Sequence, residues 1–75
     1  MEISYKKLFV MIVEKDMTNS QVRKAAGLST STFDKLKKNK LVALDVLVRI
    51  CAVLQCQVGD LVEIIKYPDL EKSAQ

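Results

Sequence analysis

Between Thr18 and Lys40 the chain reads TNSQVRKAAGLSTSTFDKLKKNK, and this stretch constrains the fold more than any other. Thr18 followed three residues later by Gln21 is the arrangement of a capping box, in which each residue satisfies a free amide of the other. A short helix over Asn19–Ala26 follows, with Val22, Ala25 and Ala26 available to pack. Gly27 comes directly after it. A helix that ends just before another helix commonly needs a residue in the left-handed region, which glycine enters without a Cβ penalty. Leu28 plugs the corner, and Ser29 caps a further helix over Thr30–Lys37. Phe33 and Leu36 share its inward side, which leaves Thr30, Ser31, Asp34, Lys35 and Lys38 to solvent or a ligand.

The flanks supply the support. Met1–Ser4 is expected to be an extended lead-in, with Ser4 as an N-cap. A first helix over Tyr5–Lys15 carries Tyr5, Leu8, Phe9 and Ile12 at helical spacing, widened by Val10, Met11 and Val13. Met17 turns inward after it. Beyond the polar Asn39 and Lys40, a fourth helix starts at Leu44 behind Ala43, a poor cap, with Asp45 offsetting some of that loss at the helix N-terminus. Leu44, Leu47, Ile50, Cys51 and Leu54 form its core stripe. Gln55–Gln57 turn the chain, and a fifth helix is expected over Val58–Lys66 with Leu61, Ile64 and Ile65 as its apolar residues. Pro68 stops it. The expected fold is all-α: a compact five-helix bundle over residues 1–68, followed by a polar tail over 69–75.

Length and composition set limits on this. A chain of 75 residues makes one domain and buries roughly 60% of its unfolded surface. Aromatics are scarce, so Leu, Val, Ile and Met must fill the core. Cys51 and Cys56 are two cysteines in a chain without histidine, too few for a zinc site or a disulfide framework. They are expected as reduced apolar residues of the helical core or its edge. Nothing resembles a signal peptide, and no apolar run approaches the ~20 residues that cross a bilayer, so a cytoplasmic protein is expected. No activating base stands beside a cysteine, and no carboxylate pair or glycine-rich phosphate loop has a persuasive context. An enzyme is not expected, and no cofactor or metal.

The net charge of +3 is unevenly placed. From Arg23 to Lys40 six basic residues face only Asp34, a local charge of +5, whereas Leu41–Gln75 carries −2. That concentration is an electrostatic footprint for a polyanion, although a solvated lysine face has the same appearance in one dimension.

A helix, a capped short helix, a glycine turn and a second capped short helix make the pattern of a helix-turn-helix. Thr18, Val22, Gly27-Leu28-Ser29, Thr32-Phe33 and Leu36, then Leu47-Val48-Arg49-Ile50-Cys51 with Leu54 and Asp60-Leu61, together resemble small Cro/lambda-repressor-like helix-turn-helix regulators. The resemblance spans Tyr5–Ile65. It implies a sequence-specific DNA-binding transcriptional regulator, a repressor, whose third helix enters the major groove. By the same resemblance Asn19 holds a phosphate at the start of the second helix, and Ser29, which begins the recognition helix, is a further DNA-binding residue. Thr30, Ser31 and Thr32 occupy the face where base edges are read. Lys35 reaches a base or a phosphate one turn on, and Lys38, Asn39 and Lys40 form the loop that clamps the DNA backbone.

Physical chemistry agrees with these roles and leaves plainer ones beside them. Lysines and helix N-termini suit phosphates, and hydroxyls and the threonine methyl suit base edges. Thr30 and Ser31 also serve as capping-turn residues. Asp34 either accepts from a cytosine amine or pairs with Lys38. Arg23 stands where such regulators often carry alanine; it snorkels toward a phosphate or loosens the packing there. Short hydroxyls in place of the usual glutamines point to backbone contacts and DNA shape as the main source of specificity.

One such domain buries only roughly 600–1,000 Å² of its own surface on DNA, so a homodimer on duplex DNA is expected. Val46, Val53, Val58 and Val62 either form its two-fold contact or complete the monomer's core. The alternative function is a protein-binding module, such as an antitoxin, that uses the same fold.

Overall fold

The computed structural model describes residues 1–71, so the last four residues of the expected tail, 72–75, lie outside the described residues. The chain runs β1 (Glu2–Ser4), α1 (Lys6–Glu14), α2 (Asn19–Ala25), α3 (Thr30–Lys37) and α4 (Leu44–Leu54). A single 3₁₀ turn (Val58–Asp60) and β2 (Glu63–Lys66) follow. Each of the four helices begins within one residue of where the sequence pattern places it.

The expected five-helix, all-α architecture is incorrect. Where a fifth helix over Val58–Lys66 was expected, the chain makes one 3₁₀ turn and then extends. β2 pairs antiparallel with β1, setting Ile3 opposite Ile64 and Ser4 opposite Glu63, with a bulge between Glu2 and Ile3. Three local causes act against the helix. Gly59 costs about 1 kcal/mol in a helix interior relative to alanine. The Gln57 N–H donates to Asp60 Oδ2 at 2.9 Å, which closes the turn. Ile64 and Ile65 are β-branched and suit a pleated surface. The pairing also gives partners to backbone groups of the lead-in, which is therefore extended for a reason.

Tyr5, Leu8 and Ile12 of the N-terminal part, Val22 and Ala26 of the α2 region, Leu28, Phe33 and Leu36 around α3, Leu47, Ile50 and Leu54 of α4, and Leu61 form one buried core. Phe9 meets Phe33 edge-on, ring centres 6.0 Å apart and planes at 88°, and so joins α1 to α3. Lys7 Nζ donates to the Gly59 carbonyl at 2.8 Å and holds the 3₁₀ turn against α1. Some expected core positions are not buried. Leu44 is 64% exposed and Ala25 is exposed, because each lies just off the inward stripe of its helix. Among the described residues no helix is long and apolar enough to cross a membrane.

All four helices finish on a residue with positive φ: Asp16, Gly27, Asn39 and Gln55. The hydrogen bonds after the first three are those of a Schellman motif. Leu28 N–H donates to the Arg23 carbonyl and Gly27 N–H to Lys24. Lys40 N–H likewise donates to Lys35, and Asn39 N–H to Leu36. Glycine fills only one of these four positions.

Candidate nucleic-acid interface

The capping box is complete. Gln21 N–H donates to Thr18 Oγ1 at 3.1 Å, and Thr18 N–H donates to Gln21 Oε1 at 2.8 Å. This fixes where α2 starts and leaves Asn19, its first residue, exposed. Gly27, at φ +69°, then turns the chain, and α3 leaves behind Ser29.

Ser29 and Thr32 are occupied with each other. Thr32 N–H donates to Ser29 Oγ at 3.1 Å, and the Ser29 hydroxyl donates to Thr32 Oγ1 at 2.9 Å. Thr32 is also half-buried. These two expected contact residues are held by the helix start itself. Thr30 and Ser31 are exposed, and Ser31 Oγ lies 3.5 Å from Ser29 Oγ.

With Phe33 and Leu36 inward, the 100° step of an α-helix puts Ser31, Asp34, Lys35 and Lys38 on the opposite, solvent-facing side. This is the surface that α3 offers. Asp34 sits in its middle, and no ion pair joins it to Lys38 within 4.0 Å; among the described residues the ion pair formed is Arg49–Asp45 at 3.7 Å. Lys37 is drawn away from that surface, its Nζ standing 5.8 Å from the centre of the Phe33 ring.

At the far end of α3 the loop is built by two residues with different tasks. Asn39 takes the left-handed position and accepts the Tyr5 N–H on Oδ1 at 2.9 Å. Its side chain is thus committed to the fold. Lys40 is held through its backbone, its carbonyl accepting the Tyr5 hydroxyl at 2.8 Å, while its side chain is exposed with that of Lys38. A groove lined by Glu2, Ile3, Lys38, Asn39 and Lys40 runs beside this loop. Of the nine expected residues, Asn19, Thr30, Ser31, Lys35, Lys38 and Lys40 keep exposed side chains, and among the described residues the side-chain hydrogen bond they make is the Ser31–Ser29 contact. Ser29, Thr32 and Asn39 are engaged.

Two arginines near the turn have roles that the sequence did not reveal. Arg23 is half-buried and its Nη1 donates to the Leu28 carbonyl at 3.1 Å, bracing the turn from α2 across to α3. Arg49 of α4 reaches the outside of the same turn, with Nη1 3.9 Å from where a Cβ on Gly27 would stand. Its i,i+4 ion pair with Asp45 is an exposed one. Helical spacing shows the pair, but only the packing of α4 shows that it lies next to Gly27.

Among the described residues no three His, Cys, Asp or Glu side chains come together to hold a cation.

Residues 7–67 match the family model for the Cro/C1-type helix-turn-helix DNA-binding domain. None of the curated proteins matches the chain. The crystal structure of the transcriptional regulator VanUg, form II, is similar to it at 45% sequence identity and a TM-score of 0.80, with 83% of each chain covered. By its capped helices, its glycine turn and this match, the chain belongs to the Cro/C1-type helix-turn-helix family of DNA-binding domains.

Proposed function

We propose that this protein is a sequence-specific transcriptional regulator that inserts α3 into the DNA major groove and acts as a repressor. The observation that carries the reading is the solvent-facing side of α3, where Ser31, Lys35 and Lys38 stand unburied on one helix face. Lys40 continues the positive charge past the helix end. The likeness to the transcriptional regulator VanUg supports the regulatory role. Repression follows as the simplest mode, since occupying an operator needs no surface beyond this one.

Lys38 and Lys40 contact phosphates, and Asn19 contacts another at the start of α2. Ser31 and Lys35 reach base edges, with Thr30 at the margin. Ser29, Thr32 and Asn39 shape this face from within, their side chains held by the fold. Asp34, free of Lys38, is placed to accept from a cytosine amine, a choice that disfavours other bases at that position. Few and short base-reading side chains leave much of the specificity to DNA shape.

A homodimer supplies the second half-site about 34 Å along the duplex. Val46, Val53, Val58 and Val62 all pack against the monomer's own core. The two-fold contact therefore falls to aliphatics that the core leaves uncovered, among them Val13, Leu44 and Ile65.

Selection of bound duplexes from a random library tests the whole reading, and enriched inverted repeats are the expected result. Binding measured against salt tests the residues. Each phosphate contact adds about 0.9 to the slope of log affinity on log salt, so Lys38→Ala lowers that slope by about one contact. No duplex binding at low salt ends the proposal.

A further inference from the structure

Cys51 and Cys56 stand on either side of the left-handed Gln55, at the end of α4. Cys56 N–H donates to the Cys51 carbonyl at 3.2 Å, the six-to-one bond of a Schellman-type ending. In that motif the two residues so joined usually touch through their side chains. The Cys56 thiol is pushed up to about 11, first by burial and then by the charge of Cys51 and a hydrogen bond with it. Both cysteines are free and half-buried, and both open onto one groove lined by Val48, Ala52, Gln55 and Gln57.

No third ligand accompanies them. Among the described residues no cluster of three His, Cys, Asp or Glu side chains exists, so a tetrahedral zinc site is not available. Two neighbouring sulfurs in an otherwise apolar and amide-lined groove suit a thiophilic centre that needs only two positions. We infer that Cys51 and Cys56 form a ready-made dithiol site for such a centre, of which trivalent arsenic bearing one organic group is the type.

The chemistry balances without an oxidant. An organoarsenic(III) oxide condenses with both thiols: two As–S bonds form, the two arsenic–oxygen bonding contacts are given up, and the oxygen leaves with both thiol protons as water. Arsenic stays trivalent. The ligand then staples the last turn of α4 to the residue beyond its left-handed cap. Because the folded chain already brings the two cysteines onto one groove and joins them through the backbone bond across the cap, binding favours that state and raises the melting temperature by mass action.

The test uses phenylarsine oxide with the full chain, kept reduced by a phosphine. One arsenical per chain is expected, with loss of both free thiols and a rise in Tm. Cys51→Ala and Cys56→Ala should each weaken binding by roughly 10²–10⁴-fold, the scale on which a tethered second contact adds to the first. 2,3-Dimercaptopropanol should reverse the complex, and mercaptoethanol at equal thiol concentration should not. Equal affinity in either variant overturns the inference. So does an unchanged or lowered Tm in the wild-type chain, a readout that does not depend on the variants folding, since a lowered Tm means that the arsenical captures the unfolded chain instead.

Discussion

The helix-turn-helix and the C-terminal segment are built by opposite means. From Thr18 to Lys40 the hydrogen bonds that start and end the helices join residues no more than five apart: Thr18 with Gln21, Leu28 with Arg23, Thr32 with Ser29 and Lys40 with Lys35. The Tyr5 bonds to Asn39 and Lys40 then brace the finished loop from outside. From Gln57 to Lys66 only the turn itself is local. The turn is held in place by Lys7 reaching Gly59, and the extended conformation of Glu63–Lys66 by β1, at the other end of the chain. One region carries its structure in its own sequence. The other takes it from a distant partner.

Leu61 puts the largest load on this comparison. It is fully buried and follows the 3₁₀ turn, so it fastens the C-terminal segment to the core that supports α3. Leu61→Ala is expected to cost 2–5 kcal/mol, roughly the range for deleting a buried leucine side chain, as measured by urea unfolding. A loss below about 1 kcal/mol, within the range of ordinary surface changes and mild core ones, breaks the comparison. The segment would then be an appendage and not part of the scaffold.

The same contrast explains what was legible in the sequence. The capping box, Gly27 and the Ser29 cap are local devices, and all are visible as residue types at fixed offsets. The helix-turn-helix, its exposed lysines and the inward Phe33 and Leu36 follow from them. β2 is not legible because Leu61, Ile64 and Ile65 also fit one face of a helix, and nothing within Val58–Lys66 names Glu2–Ser4 as a partner. In the site, the commitment of Asn39 to the Tyr5 amide and of Arg23 to the Leu28 carbonyl was equally hidden. An asparagine or arginine beside an exposed basic helix looks like a contact residue until its partner in the fold is seen.

Helix endings sharpen the point at a single backbone angle. Gly27 at φ +69° and Gln55 at φ +55° occupy the same left-handed region, but only the first carries the residue suited to it. A Cβ at Gly27 meets nothing closer than Arg49 Nη1 at 3.9 Å, an ordinary contact, so steric collision is not the issue. Gly27→Ala should therefore cost about 1–2 kcal/mol of stability from backbone conformation alone. Gln55→Gly should do the reverse. It relieves the same strain, loses the Gln55 Nε2 bond to the Ala52 carbonyl at 2.8 Å and frees the unfolded chain, for a net gain of about 0.5 kcal/mol. Thermal or urea unfolding of the pair reads both signs. If the two changes shift stability in the same direction, left-handed geometry is not what governs these endings.

Tyr5 joins the two regions, and its effect is the most modest. It sits between β1 and α1, its N–H on Asn39 Oδ1 and its hydroxyl on the Lys40 carbonyl, so the strand that pairs with β2 also holds the loop at the end of α3. Tyr5→Phe keeps the ring and removes one hydrogen bond, at an expected cost of about 0.5–1.5 kcal/mol. The hydroxyl also links this joint to pH. Burial raises the Tyr5 pKa above its ordinary value of 10.0, with the nearby Val42 backbone amide partly opposing the rise. A raised value in the folded state means that the contribution is fully present below pH 10.0 and is lost as pH climbs through the folded value. Cys56, raised from 9.0 to about 11, acts in the same direction from a lower starting point. Stability should thus hold up to about pH 9 and decline above it. In Tyr5→Phe the decline should be shallower but still present, since Cys56 remains. Urea midpoints across the alkaline range decide it: an identical decline in the variant removes Tyr5 as the titrating link between the two regions.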